Sequence, residues 1–299
     1  MQEVAPGISM IDTLLGGRPG ITAAYLVHGP RPALVDPGAA TTAGVVRDAL
    51  TAAGIGPEDL GWIVPTHVHL DHCGATGALA RAFPSARVVV HERGARHLAE
   101  PARLVAATAA VHGPRAPLYG GLDPTPAARI TAAADGHRLD VGDGRVLRVL
   151  HTPGHARHHA CLLEEASGAL IAGDAAGTRL AGGGLYPALP PPEVDPAAGD
   201  ASLARVEALR PSALLFAHHG PSPDPAADLA LARDQLARCA AAARDAGDAA
   251  AVAAALDRVL PLAATVGVPD AVEAWEWVGW APSTADGLAL WAARERARQ

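Results

Sequence analysis

A run of metal-binding side chains directly follows a predicted strand and constrains the fold more than any other feature of the chain. Residues 62–66 are short, apolar and rich in β-forming types, which predicts a buried strand. The next six residues hold four potential ligands, His67, His69, Asp71 and His72. Side chains two apart on extended backbone point the same way, so His67 and His69 would face one zinc-like ion. Asp71 and His72 lie where the chain turns into a helix and would face a second ion.

Short β-type runs alternate with helical runs in the first three quarters of the chain, and only helical runs follow. This alternation predicts an α/β core over residues 1–223 and a helical C-terminal extension over residues 224–299. The predicted strands are residues 23–27, 33–36, 62–66, 87–91, 146–150, 160–164, 169–172 and 213–217. The segment from 92 to about 138 interrupts the pattern, being helical and then rich in proline and glycine. We expect it to form a substrate lid.

The composition excludes catalysis that depends on lysine and argues against several kinds of partner. All 24 basic residues are arginine, so a Schiff-base lysine and a P-loop lysine are both excluded. The net charge of −7, without any basic cluster, argues against a nucleic-acid partner. The chain contains no apolar run of 18 residues and no basic leader with an apolar core, so we expect neither a membrane span nor a signal peptide. Three widely spaced cysteines predict reduced thiols and a cytoplasmic location.

Four shorter motifs accompany the histidine run. They are Val35-Asp36-Pro37-Gly38, Thr152-Pro153-Gly154-His155, Ala172-Gly173-Asp174 and Phe216-Ala217-His218-His219-Gly220. In this order, with H-x-H-x-D-H at residues 67–72, they resemble the metallo-β-lactamase-fold hydrolases. That superfamily includes hydroxyacylglutathione hydrolases, acyl-homoserine lactonases and metal-dependent phosphodiesterases. The resemblance covers roughly residues 10–222 and implies an αβ/βα sandwich, in which two sheets pack face to face with helices outside.

The resemblance also implies a role for each motif residue. His67, His69 and His155 would hold the first metal; Asp71, His72 and the last histidine would hold the second; Asp174 would bridge them. The cofactor would be two divalent ions, zinc first, with iron or manganese as alternatives. A carboxylate shared by two dications offsets their repulsion at about 3.5–4 Å, and a hydroxide between them becomes a nucleophile near neutral pH. Asp71 is also the predicted catalytic residue.

Several assignments stay open at this level. The last ligand is predicted to be His218, because the surrounding motifs resemble a subset of the family with that pattern, and His219 is the alternative. Asp36 is expected to support the ligands from behind. His159 is a candidate for the same kind of support, or for a place in the substrate pocket. Tyr119 and Tyr186 are candidates for donating a hydrogen bond to a substrate oxygen.

The sequence therefore predicts a dinuclear hydrolase of an ester, thioester or lactone, resembling the hydroxyacylglutathione hydrolase and lactonase branch. The absence of lysine weakens the glutathione thioesterase within that branch. The expected partner is a small acyl molecule, with neither nucleic acid nor membrane, and a homodimer is left open. The alternatives are a mononuclear iron oxidoreductase similar to sulfur dioxygenases, a phosphodiesterase and a non-catalytic metal-binding protein. An open water position argues against the last, because structural zinc sites are normally closed by four protein ligands.

Overall fold

Two β-sheets lie face to face in the computed structural model, which describes residues 1–180, 183–267 and 269–298. The first sheet contains, in sequence order, β1 (Gln2–Ala5), β2 (Ile8–Asp12), β3 (Ala23–Val27), β4 (Ala33–Val35), β5 (Trp62–Val64), β6 (Arg87–His91) and β7 (Ile130–Ala133). The following strands are β8 (Arg138–Gly142), β9 (Arg145–His151), β10 (Ala160–Glu164), β11 (Ala169–Gly173), β12 (Thr178–Arg179), β13 (Leu185–Tyr186), β14 (Ala213–Phe216) and β15 (Gly220–Pro221). The second sheet has the order β15-β14-β11-β10-β9-β8, and β12 and β13 form a separate pair.

Strand periodicity explains why both faces of each sheet are buried. In β3, Tyr25 and Val27 contribute to the apolar core between the sheets, whereas Leu26 belongs to the core under the helices. In β10, Leu162 and Cys161 divide in the same way. Side chains alternate between faces with a period of two, so a strand that is apolar throughout must be covered on both sides. The result is the predicted sandwich with helices outside.

The helices cover the outer faces and the C-terminal end. They are α1 (Ala43–Ala52), α2 (Leu70–Cys73), α3 (Thr76–Ala82), α4 (Ala95–Ala99), α5 (Ala102–His112), α6 (Pro196–Ala208), α7 (Pro225–Arg244), α8 (Ala249–Val259), α9 (Leu262–Val266), α10 (Pro269–Val278) and α11 (Trp280–Arg296). The sequence places the start of α6 at Ser202, but the helix begins six residues earlier. The Asp195 carboxylate accepts from the Ala198 amide and Pro196 occupies the first turn, a standard helix start. No described helix is long and apolar enough to span a bilayer.

The segment 92–138 proves to be more than an insertion. Its end contains β7, which pairs in parallel with β6 and completes the first sheet, so the lid prediction is wrong for this part. The sequence of β7 is short and rich in alanine, so its intrinsic strand propensity is low. It adopts a strand conformation because it pairs with β6. Further strands that the sequence did not predict are β1, β2, β8, β12, β13 and β15. The α5 helix, in contrast, has no buried residue and lies against the sandwich as an outer layer.

The helices after residue 224 share one apolar core with the sandwich. Leu236 of α7 and Leu288 of α11 belong to the same cluster as Leu170 and Phe216 of the second sheet. Asp224 caps the start of α7, close to the predicted boundary at 223. The division into two domains stays a prediction, but the extension is packed on the core and reaches the site described next.

Candidate metal centre

All the ligand motifs follow the carboxyl ends of strands, which explains how distant residues meet. In the first sheet β4 and β5 are parallel neighbours, and in the second sheet β11 and β14 are. The carboxyl ends of parallel strands share one edge of a sheet, where ligands commonly bind. Asp36 follows β4, the histidine run follows β5, Asp174 follows β11, and His218 lies two residues beyond β14. The two sheets therefore present their functional residues at one rim of the sandwich.

Asp36 fixes the loop that carries the histidines. It lies in the left-handed region at φ 50°, just after β4. Its Oδ1 accepts from the Thr66 amide at 2.7 Å, and its Oδ2 accepts from the Thr66 hydroxyl at 3.0 Å. The same Oδ2 accepts from Nδ1 of His72 at 3.1 Å. One buried carboxylate thus orients both the start and the end of the run, which is the supporting position predicted for Asp36.

Three imidazole nitrogens converge on one side of the site. Nδ1 of His69 lies 2.9 Å from Nε2 of His67 and 2.9 Å from Nε2 of His155. Nδ1–H of His155 donates to the Ala188 carbonyl at 2.8 Å, which leaves the lone pair of Nε2 facing the group. Burial lowers the pKa of all three imidazoles. Three neutral imidazoles with converging lone pairs fit a zinc-like ion, around which tetrahedral nitrogens lie about 3.3 Å apart.

A second group combines two imidazoles with a carboxylate. Nε2 of His72 and Nε2 of His218 are 3.1 Å apart, and Oδ2 of Asp71 lies 3.7 and 3.5 Å from them, respectively. Nδ1–H of His218 donates to the Ile21 carbonyl at 3.1 Å, just as that of His72 donates to Asp36. With both Nδ1 atoms protonated, two Nε2 lone pairs face each other, an arrangement that a cation between them relieves.

The field of the carboxylates favours positive charge at this second group. Burial by itself lowers the pKa of His72, but Asp174, Asp71 and Asp36 outweigh it and raise that pKa well above its ordinary value. The same carboxylates would stabilise a divalent ion in place of a proton. The residues present therefore fit a metal at this position as well.

Asp174 lies between the two groups. Its Oδ2 is 3.6 Å from Nε2 of His155 and 3.5 Å from Nε2 of His72, and its Oδ1 is 3.5 Å from Nε2 of His218. Burial raises the pKa of this carboxyl, but His72 and His218 outweigh it and hold the pKa well below the usual range. Among the described residues the buried Oδ1 has no hydrogen-bond partner. A buried, ionised carboxylate with a free oxygen between two ligand groups fits a pair of bridged ions.

His159 positions Asp174 from below. Its Nε2 accepts from the Asp174 amide at 3.0 Å, while its Nδ1–H donates to the Thr152 hydroxyl at 2.8 Å. Gly173 adopts φ 52°, and a Cβ there would lie 2.6 Å from Nε2 of His159 and 2.7 Å from Oγ1 of Thr66. Contacts this close admit only glycine, which accounts for Gly173 before the aspartate. His159 is fully buried behind the candidate ligands and is not among the described residues that line the cavity discussed below.

The paired histidines after β14 have different surroundings. His218 joins Asp71 and His72, whereas Nε2 of His219 points elsewhere, 3.8 Å from Oδ2 of Asp12. The geometry favours His218, and its role as a ligand stays a prediction until a metal is measured.

A cavity of about 340 Å³ opens above both ligand groups. Its walls come from α5, from residues 190–193 and from the start of α11. Trp280, which was not predicted as a site residue, also lines the cavity, and its ring lies 4.2 Å from that of His218. The chain has five tryptophans in 299 residues. A rare, large aromatic residue in the alanine-rich extension was the feature of the sequence that could have indicated a functional position.

The two candidate tyrosines differ in the structure. Tyr119 lines the cavity, and its buried hydroxyl has no hydrogen-bond partner among the described residues. Burial raises the pKa of the Tyr119 phenol, and the charge of Asp71 raises it further. Tyr186 instead packs its ring 5.0 Å from that of Trp275 and is not among the described residues that line the cavity. The suggested substrate contact of Tyr186 is therefore not supported, because its side chain turns toward the C-terminal helices.

Residues 17–218, which include every ligand candidate except the alternative His219, match the family described as the metallo-beta-lactamase superfamily. The chain belongs to the metallo-beta-lactamase superfamily. Members of this superfamily bind divalent metals, commonly zinc, and are generally metallo-hydrolases. The buried histidine and aspartate cluster is thus that of a protein similar to metal-dependent hydrolases.

Two curated relatives share part of their length with this chain. A metallo-beta-lactamase fold-containing protein of Sulfurisphaera tokodaii is 31% identical over 167 residues, 54% of this chain and 62% of that protein. The uncharacterized protein YobT of Bacillus subtilis is 32% identical over 115 residues, 38% of this chain and 45% of its own length. The chain therefore matches about three fifths of the first relative and under half of the second.

Solved structures extend the similarity to the C-terminal helices. The Sulfolobus tokodaii superfamily protein superposes with a TM-score of 0.64 at 26% identity, covering 77% of this chain and 85% of that one. A metallo-beta-lactamase family protein from Thermus thermophilus gives a TM-score of 0.68 at 24% identity, covering 98% and 94%. The second comparison spans nearly the whole chain and shows that the complete fold, with its extension, recurs in another protein.

Proposed function

We propose that the protein is a dinuclear metal-dependent hydrolase of ester, thioester or lactone bonds in small acyl molecules. The observation that carries the proposal is the buried carboxylate of Asp174, which touches ligands of both groups and keeps one oxygen free. Two divalent ions, when bound there, would supply Lewis acidity toward a carbonyl oxygen and lower the pKa of water to about 7.

The chain's own residues would contribute orientation, proton handling and exclusion of water. The Asp71 carboxylate lines the cavity with 14% of its side chain exposed, so it can ligate, and accept a proton from an attacking water, at the reacting end. The Tyr119 hydroxyl would donate to the oxygen of the tetrahedral intermediate. Leu104, Val111 and Trp280 would keep bulk water away from this end.

The lining of the cavity supports an acyl substrate over a phosphodiester. Leu70, Leu104, Leu189 and Trp280 make most of the wall beside the ligands apolar, which suits an acyl chain and not a sugar-phosphate backbone. The absence of lysine and the net charge of −7 also oppose a nuclease. Within the acyl class, the lactonase or thioesterase branch fits the ligand set, and the glutathione thioesterase remains weakened by the lack of lysine.

The test is a hydrolysis panel with purified protein whose metal content has been measured. The panel contains aryl esters, acyl-homoserine lactones, acyl-glutathione thioesters and phosphodiesters, with Asp71→Ala as the blank and the exposed Asp234→Ala on α7 as the matched control. We expect two metals per chain and hydrolysis within the first three classes, lost in the blank and kept in the control.

One iron per chain with no acyl hydrolysis would instead establish the oxidoreductase alternative. Faster turnover of phosphodiesters than of every acyl compound would establish the phosphodiesterase. Loss of activity in Asp234→Ala would show that the blank reports general damage and not the site.

A further inference from the structure

The cavity changes character from its floor to its mouth. The candidate ligands line its floor, apolar side chains such as Leu104 and Leu189 line its walls, and two exposed arginines, Arg96 of α4 and Arg103 of α5, mark its mouth. A substrate whose reacting bond lies at the floor must pass the apolar walls before it meets these guanidinium groups. A substrate that fills the cavity would therefore combine a reactive bond, an apolar segment and a group that binds to arginine.

The two arginines have no intramolecular acidic partner. Among the described residues, neither guanidinium has a carboxylate within 4 Å, whereas arginines such as Arg179 and Arg205 are paired with aspartates. Both side chains are exposed to the mouth. An unpaired guanidinium is a planar donor suited to carboxylate and phosphate oxygens.

The acidic residue at the mouth is already engaged. Oε2 of Glu193 accepts from the Arg157 amide at 3.2 Å and lies 3.7 Å from Nε2 of His158. Among the described residues Glu193 forms no ion pair with Arg96 or Arg103. The charged side chains at the mouth are thus two guanidinium groups and one carboxylate, which leaves an excess of one positive charge for an anionic ligand.

Three imidazoles, those of His69, His158 and His97, lie in a row from the floor toward the mouth, and their spacing indicates the distance between the two ends of the cavity. The ring of His158 lies 5.6 Å from that of His69, and the ring of His97 lies 6.5 Å from that of His158. Burial lowers the pKa of His97, and the charges of Arg96 and Arg103 lower it further against the opposing effect of Glu193. His97, next to Arg96 on α4, thus lies two ring-to-ring steps from the predicted ligand His69.

We infer that Arg96 and Arg103 form an anion-binding subsite, and that the substrate carries an anionic group separated from the cleaved bond by an apolar segment. The inference rests on the proposed acyl hydrolase function. The anion has two possible sources, a terminal carboxylate on the acyl chain or a phosphate on the departing alcohol or thiol. Either would reach the mouth while the carbonyl occupies the floor.

The experiment uses matched substrate pairs on the full-length, metal-loaded protein. One pair is an aryl decanoate and the aryl monoester of decanedioate, a diacid long enough to span the two ring-to-ring steps. The other is the hexanoyl thioester of phosphopantetheine and that of pantetheine. We expect kcat/KM for the charged member of one pair to exceed that of its neutral member by about tenfold, mainly through KM. The preferred pair identifies the source of the anion.

Variants then assign the preference to the two arginines. Arg96→Ala/Arg103→Ala should bring the charged-to-neutral ratio close to one, and Arg103→Glu should invert it. The control is Arg258→Ala on α8, an exposed arginine that also has no acidic partner among the described residues and does not line the cavity. It should keep the wild-type ratio.

Binding separates this inference from the proposed function. Calorimetric titration should show that decanedioate binds more tightly than decanoate, and phosphopantetheine more tightly than pantetheine, and that the double variant loses these differences while the control keeps them. Such binding without hydrolysis of any substrate would uphold the subsite and reject the acyl hydrolase. Equal ratios in wild type and double variant, or binding of the anions unchanged by the double substitution, would overturn the subsite.

Discussion

The floor and the roof of the cavity are built in opposite ways. The floor consists of residues that follow strand ends, and most are buried. The imidazoles of His67, His72 and His155 are each hydrogen-bonded on the outer nitrogen, to Thr66, Asp36 and Ala188 respectively. The roof consists of α5, the segment that leads from it to Tyr119, the 190–193 loop and α11. Helix α5 has no buried residue, and the polar groups of Tyr119 and Arg103 lack partners among the described residues. Hydrogen-bonded, rigid side chains are suited to coordinating a metal. Polar groups without protein partners are suited to binding a substrate that enters and leaves the cavity. We expect changes in the floor to reduce both metal binding and catalysis, and changes in the roof to leave the metal content unchanged.

The largest effect should follow the loss of the residue between the two ligand groups. Asp174→Ala removes the carboxylate shared by both groups, so we expect fewer than two metals per chain and a fall in kcat/KM of roughly 10²–10⁴. Metal analysis and steady-state kinetics check both quantities, with Asp234→Ala as the control. Full metal content with normal activity would show that Asp174 does not bridge.

The paired histidines after β14 offer an internal comparison within the floor. His218→Ala should lose one metal and about 10²-fold in kcat/KM, since its Nε2 faces Asp71 and His72. His219→Ala should keep both metals, because its Nε2 lies near Asp12 instead. Metal content measured on the two variants side by side decides the assignment, and the reverse pattern would make His219 the ligand.

The support behind the ligands should matter less than the ligands. Asp36→Ala removes the acceptor for His72 and for Thr66, so we expect metal affinity to weaken by about 10- to 100-fold while the ligand set remains. Competition with a chromophoric chelator measures this affinity. An affinity equal to that of the wild type would mean that the histidine loop holds its shape without Asp36.

The smallest effect should come from the roof. Tyr119→Phe keeps the ring and removes the hydroxyl, so we expect about a tenfold loss in kcat with metal content unchanged. Steady-state kinetics with the preferred acyl substrate, beside metal analysis, tests it. A loss of metal in this variant would break the division between floor and roof, and an unchanged kcat would remove Tyr119 from the reaction.

Local patterns explain why so much of the floor could be predicted. His67 and His69 are two residues apart after a short apolar strand, so their side chains point to the same side of the backbone. Gly173 comes directly before Asp174 because a larger residue would clash with its neighbours at this position. The alternation of β and helical runs predicted the α/β core and its helical extension, and the family resemblance implied the sandwich. The weak strand β7 and the edge strand β1 were not predicted, because their few apolar residues acquire strand structure from pairing with neighbours. Strand β2, which lies inside the sheet between β1 and β3, was also not predicted.

The sequence by itself indicated a metal-binding histidine and aspartate cluster, because ligand types and their spacing along strand ends are encoded locally. Only the tertiary structure decided which of His218 and His219 joins the cluster, that Tyr119 and not Tyr186 lines the cavity, and that Trp280 and the two arginines complete it. These residues lie far apart along the chain, and their meeting depends on how α5 and α11 pack over the sandwich. Such packing is set by the shapes of whole surfaces, which no short motif records.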